Sequence, residues 1–180
     1  MTSWALFRWT LSRRRCPRGH PAPTFLFADL AWFTALTARR GDEVAATVAG
    51  EFRRTMCALS RRHGAFEVKS LGDGMMIWSP DAGRATALAA AVVAEVGTRD
   101  DLLPVRVGVH TGPAVTRGCD WYGHAVNVAA RLATEACPNE ALVSAATREA
   151  ALGRPLPRLD RPRDLALRGL ERPVAAWRLV

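Results

Sequence analysis

The sequence predicts a single α+β domain with a ferredoxin-like βαββαβ core, on three observations. Apolar runs of strand length begin at Thr24 and again at Pro104, helical stretches begin at Asp42 and Asp81, and between the helices lie two short strands about an Asp-Gly turn. At 180 residues and 49% apolar content, the chain can bury one sizeable core and is too short for two full domains.

Taken in order, Pro17, Pro21 and Pro23 separate a basic arm, residues 1–23, from the domain, residues 24–180. Thr24 to Leu30 is an apolar, aromatic strand with a carboxylate, Asp29, near its end. From Asp42 to His63, Val44, Ala45, Val48, Phe52, Met56 and Leu59 recur at helical steps, with Asp42 placed to cap and Gly64 to stop. Ala65 to Ser70 and Met75 to Ser79 flank Gly72-Asp73-Gly74 as a hairpin. Pro80-Asp81 opens an alanine-rich helix to about Val96, and Val105, Val107 and Val109 alternate along a strand from Pro104 to His110. Gly123 to Ala136 reads as a helix, Ala141 to Ser144 as a short strand, and Leu165 to Leu179 as two strand-like pieces around Gly169 and Pro173.

The formal charge of +8 falls to +3 without Arg8, Arg13, Arg14, Arg15 and Arg18, so the body is only mildly basic. The arm has no aromatic platform beyond Trp4, Phe7 and Trp9, and no nucleic-acid partner is expected. The arm reads as disordered or loosely packed, with contact to an anionic membrane surface as the alternative. Cys16, Cys57, Cys119 and Cys137 have neither zinc-site spacing nor a disulfide pattern, which suits a reducing cytoplasm. No run approaches the length of a membrane span, and the first residues place charge after the apolar stretch, the reverse of an export signal.

Chemistry concentrates at a few positions. Lys69 is the single lysine among 25 cationic side chains, and it lies four residues before Asp73. A compact ammonium in an arginine-dominated chain marks a place where a planar fork would not serve. Asp29 ends the first strand and Asp73 sits in the hairpin turn; in a ferredoxin-like sheet the first strand is central and neighbours the strand feeding that turn, so the two carboxylates converge. Such a pair suits two Mg²⁺ or Mn²⁺ ions whose shells are completed by water and substrate phosphates. Asn127 and Arg131, four apart on the predicted helix, share one face. His20, His63, His110 and His124 lack ligand spacing, and His110 reads as a core residue. Trp78, Trp121 and Trp177 read as packing residues, and Arg53-Arg54 and Arg61-Arg62 as a solvated helix face.

The chain from Thr24 to Val180 resembles the class III nucleotide cyclases, the adenylate and guanylate cyclase catalytic domain. The resemblance rests on five motifs in order: Phe27-Ala28-Asp29-Leu30 with Phe33-Thr34, Lys69 with Gly72-Asp73-Gly74, Val107 to Gly112, Asp120 with Gly123, Val126-Asn127, Ala129 and Arg131, and Leu167-Arg168-Gly169-Leu170. The resemblance implies that Asp29 and Asp73 bind the two metals, with the Leu30 carbonyl as a further ligand. It implies that Lys69 and Asp120 read adenine, Asn127 orients the ribose, Arg131 stabilises the phosphate under attack, Arg168 holds the triphosphate in place of a lysine, and Phe33 and Thr34 border it. ATP as substrate, a homodimer with sites at the interface, and cyclic AMP and pyrophosphate as products are implied likewise. The family has glycine where this chain has Trp32, in a loop that approaches the phosphates, so a catalytically weak nucleotide-binding or partner-binding module is one alternative and a guanylate cyclase another. The short stretch from Thr111 to Asp120 implies a reduced dimerisation hairpin.

Overall fold

A computed structural model describes residues 22–180; the basic arm and the expectations placed on it lie outside the described residues, apart from Ala22 and Pro23. The strands are β1 (Thr24–Leu30), β2 (Phe66–Ser70), β3 (Gly74–Ser79), β4 (Val105–Thr111), β5 (Val115–Arg117), β6 (Asp120–Tyr122), β7 (Glu140–Ser144), β8 (Arg163–Leu165) and β9 (Val174–Arg178). The helices are α1 (Phe33–Arg40), α2 (Asp42–Arg62), α3 (Ala82–Gly97), α4 (His124–Glu135) and α5 (Ala145–Ala150). Seven strands form one sheet in the order β2-β3-β1-β4-β7-β9-β8, and β5 with β6 makes a separate hairpin.

The segment β2-β3-β1-β4 is antiparallel throughout and is the ferredoxin-like core; β7 then adds parallel to β4, and β9 and β8 extend the sheet antiparallel. Strand alternation divides the core. Leu26, Ala28 and Leu30 of β1 pack with Phe52, Met56 and Leu59 of α2 and with Leu88, Val92 and Val96 of α3. Phe25 packs on the opposite face with Met76 and with Ala125, Val126 and Ala129 of α4. A third cluster joins Val128 and Leu132 of α4 to Leu142, Leu167 and Ala176.

Several local expectations differ from the observed fold. The neighbour of β1 is β3, which leaves the Asp73 turn, rather than β2, which feeds it. Asp42 is not the cap of α2: Gly41 holds that position, and Asp42 lies in the first turn, where its charge favours the helix dipole. Gly64 does end α2, with φ 62° and the Ala65 amide donating to the Ser60 carbonyl at 2.9 Å. Helix α1 has no fully buried residue and so no apolar stripe for periodicity to reveal, while α5 is six residues long and held by Ser144, whose hydroxyl accepts from the Thr147 amide. Strand β8 precedes the Leu167–Leu170 segment, which is a turn.

Gly108 fixes the seat of α4. A Cβ there would stand 2.2 Å from the Ala133 nitrogen and 2.3 Å from the Ala129 carbonyl oxygen, both backbone atoms that cannot swing aside. Gly108→Ala is expected to cost about 3 kcal/mol through overpacking. Chemical denaturation checks this, and an unchanged midpoint would contradict the close seat.

Candidate active site

Asp29 and Asp73 meet at one end of the central strands. Asp29 is the Cα partner of Gly74 in β3 and of Arg106 in β4, and the Leu30 amide donates to the Asp73 carbonyl at 3.0 Å. The Asp29 Oδ1 lies 3.0 Å from where a Cβ on Gly74 would stand, which explains why glycine follows Asp73. Burial, and next the Asp73 charge, push the Asp29 pKa up to about 6, while Arg106 pulls it down. Arg106 escaped the sequence reading, although an arginine flanked by Val105 and Val107 in a central strand was a visible signal. Among the described residues its Nε is buried without a hydrogen-bond partner.

Two crowded carboxylates form a hard oxygen donor set, the chemistry that Mg²⁺ or Mn²⁺ prefers. No group of three His, Cys, Asp or Glu side chains able to hold a metal occurs among the described residues, so such ions would rely on substrate oxygens and water as well.

Lys69 and Asp120 come together from elements far apart in sequence. The Lys69 Nζ donates to Asp120 Oδ2 at 2.6 Å, and the Trp121 amide donates to Asp120 Oδ1 at 2.8 Å. The lysine contact, more than any other influence, lowers the Asp120 pKa. A bulge makes the pairing possible. Glu67 pairs with Ile77 and Lys69 with the adjacent Met76, so two steps along β2 match one along β3. Glu67 therefore faces α2, where Arg53 donates to it at 3.2 Å, whereas Lys69 faces the β5–β6 hairpin. Regular alternation would have put both on one side.

Asn127 and Arg131 are exposed on α4, whose other side is buried through Val128, Ala129 and Leu132. Neither is hydrogen-bonded through its side chain or ion-paired to Asp29 or Asp73 among the described residues. Arg168 is exposed in the turn between β8 and β9, and buried Leu167 beside it packs on Val128 and Leu132, tying that turn to α4. Phe33 and Thr34 open α1. Its N-cap, Trp32, supplies no side-chain hydrogen bond, which leaves first-turn amides available to an anion.

Trp32 holds φ 63° and ψ 18°, the left-handed region that glycine occupies at little cost, and its side chain is 58% exposed. His110 is satisfied in the core by Ser144 at 2.8 Å, and burial lowers its pKa to about 4. Trp121 packs edge-on against Phe25 and tilts against Trp78, which in turn stacks on Phe66, in line with a packing role.

The sequence profile of the adenylate and guanylate cyclase catalytic domain matches residues 18–177. A "pH-sensitive adenylate cyclase" of Mycobacterium tuberculosis is 35% identical over 140 residues, covering 73% of this chain and 34% of that protein. An "adenylate cyclase" of Streptomyces coelicolor is 37% identical over 124 residues, covering 68% and 32%. Among solved structures, an adenylate cyclase of Trypanosoma brucei in its monomeric state superposes with a TM-score of 0.77 at 26% identity, covering 89% of this chain and 88% of that one. The chain belongs to the adenylate and guanylate cyclase catalytic domain family and has its fold. It spans about a third of the length of these two bacterial relatives. No helix among the described residues is long and apolar enough to cross a membrane.

Trp32→Gly is expected to stabilise the fold by about 0.5 to 1 kcal/mol, since relief of the left-handed backbone outweighs the loss of a mostly exposed indole; a thermal melt rising by about 2 °C checks it. Because Asp29 keeps its proton in the fold at pH values where the unfolded chain has released it, stability falls as pH rises from about 4 to 6. Asp29→Asn lacks this penalty: its metal-free melting temperature should exceed wild type at pH 8, with the gap closing below pH 6.

Proposed function

We propose that this protein is a homodimeric adenylate cyclase that converts ATP to 3′,5′-cyclic AMP and pyrophosphate at two sites shared between protomers. The observation that carries this reading is the Lys69–Asp120 contact at 2.6 Å, which sets a donor beside an acceptor. Adenine presents an acceptor at N1 and a donor at N6, so Lys69 serves the first and Asp120 the second; guanine presents the reverse and leaves both mismatched. Each buried mismatch costs roughly 1 to 3 kcal/mol, enough to favour ATP. Since the pair satisfies itself in the free protein, the purine must part it on entry.

Asp29, Asp73 and the Leu30 carbonyl would hold two Mg²⁺ or Mn²⁺ ions, which when bound offset triphosphate charge and acidify the ribose 3′-hydroxyl. Asn127 of the other protomer holds the ribose so that O3′ lies in line with the α-phosphorus. The O3′–P bond forms, the bond to pyrophosphate breaks, and the hydroxyl proton is released. Arg131 donates to phosphate oxygens whose charge grows in the transition state, and Arg168 with the first amides of α1, at Phe33 and Thr34, grips the triphosphate. Exposure of Asn127 and Arg131, with neither side chain engaged by Asp29 or Asp73 of its own chain, supports a site completed by a second copy. The exposed Trp32 indole, on a backbone that keeps a glycine-like conformation, supports an active enzyme over a weak binding module.

Purified protein with ATP or GTP and Mn²⁺ or Mg²⁺, followed by chromatography, tests the assignment. Cyclic AMP from ATP is expected, with activity lost in Asp29→Ala and Asp73→Ala and reduced on the order of 10²- to 10³-fold in Arg131→Ala. An equal mixture of Asp73→Ala and Arg131→Ala chains should recover about a quarter of wild-type activity, because half the dimers carry one intact site. A mixture that stays inactive although mixed dimers form refutes the shared site. Lys69→Glu with Asp120→Ser should shift preference towards GTP, and an unchanged preference refutes the base-reading roles.

A further inference from the structure

At the opposite end of β3 from the acid pair lies a surface cavity of about 590 Å³, between the last turn of α2, the first turn of α3 and the segment after α5. Four arginines line it, Arg61, Arg62, Arg84 and Arg154, against one carboxylate, Asp81. Gly74, beside Asp29, and Ser79, which leads to Asp81, bound a six-residue strand, so this cavity stands roughly 17 Å from the proposed metal site.

Ordinary structural roles account for part of the cluster. Arg154 pairs with Asp81, Arg62 reaches Glu95 at 3.5 Å, and Arg61 with Arg62 complements the C-terminal dipole of α2. Arg84 starts from the first turn of α3 but lays its guanidinium over Gly64, just past the C-terminus of α2, and neither it nor Arg61 forms an ion pair among the described residues. Two of the arginines lie close over glycines. A Cβ on Gly64 would stand 2.9 Å from Arg84 Nη1, and a Cβ on Gly83 would stand 3.0 Å from Arg154 Cδ. Arg61 and Arg62 are exposed, as a solvated helix face would be, and with Arg84 and Arg154 they bring four guanidinium groups around one cavity.

We propose that this cavity binds an oligophosphate anion, at a site separate from the catalytic one. Guanidinium forks match phosphate oxygens in pairs, and a volume of this size accommodates a ligand with several phosphates. Multiple negative charges offset the cluster and the helix dipole together.

The test uses the full chain in EDTA, with inorganic tripolyphosphate as probe and sodium chloride at matched ionic strength as control, read by calorimetric titration and thermal melting. Tripolyphosphate should bind and raise the melting temperature where chloride does not. That binding should survive Arg131→Ala/Arg168→Ala and weaken at least tenfold in Arg61→Ala/Arg84→Ala. Ala87→Glu, which brings a carboxylate into the cavity wall, should also abolish it while raising the ligand-free melting temperature. A wild type that ignores tripolyphosphate, or binding that disappears with Arg131 and Arg168 but persists in the Arg61/Arg84 and Ala87→Glu variants, overturns the proposal. Neither result bears on cyclase activity, which the product assay reads independently.

Discussion

Helix α4 meets strand β4 backbone to backbone at Gly108, where the Ala129 carbonyl and the Ala133 amide fill the space a side chain would need. From that seat Phe25 and Met76 gain a cover on one side, and Leu142, Leu167 and Ala176 gain one on the other. The same seat decides where Asn127 and Arg131 emerge, since the buried stripe of α4 leaves them the outward face. Leu167 then carries the Arg168 turn to the same helix. One missing methyl group in a central strand thereby sets the position of three polar side chains proposed to meet the nucleotide.

The Asp29 end of β1, two residues along from the partner of Gly108, is organised by charge rather than by packing. Asp29 is half-buried, crowded by Asp73 and only partly relieved by Arg106, so the free protein holds a carboxylate well away from its ordinary ionisation. Trp32 adds backbone strain a few residues further on. Both locally unfavourable features are held in place by the well-packed sheet beneath them. Lys69 and Asp120 differ, because they satisfy each other and wait in a closed arrangement.

Much of this was legible in the chain. The βαββαβ order, the convergence of Asp29 with Asp73 and the shared face of Asn127 and Arg131 follow from periods of two and 3.6 residues and from an Asp-Gly turn. What escaped lacks such a period. Helix α1 buries nothing completely, α5 is a single capped turn and a half, and the β2 bulge that turns Lys69 away from Glu67 is a tertiary event without a local mark. Arg106 was readable as a polar interruption in a valine strand, but its effect on Asp29 needed the cross-strand register. The arginine cavity gathers residues from three segments, and nothing short of the folded chain brings them together.

The central position of β1 also shapes how the molecule is made. Its two partners lie far along the chain: Thr24 pairs with Ser79 on one side and with Thr111 on the other. Contacts of such sequence separation form only after long loops close, which slows folding. On the ribosome, Thr24-Phe25-Leu26-Phe27 therefore emerges well before either neighbour exists. A strand of this composition, with both edges open, is prone to pair with other nascent chains until β4 has been synthesised.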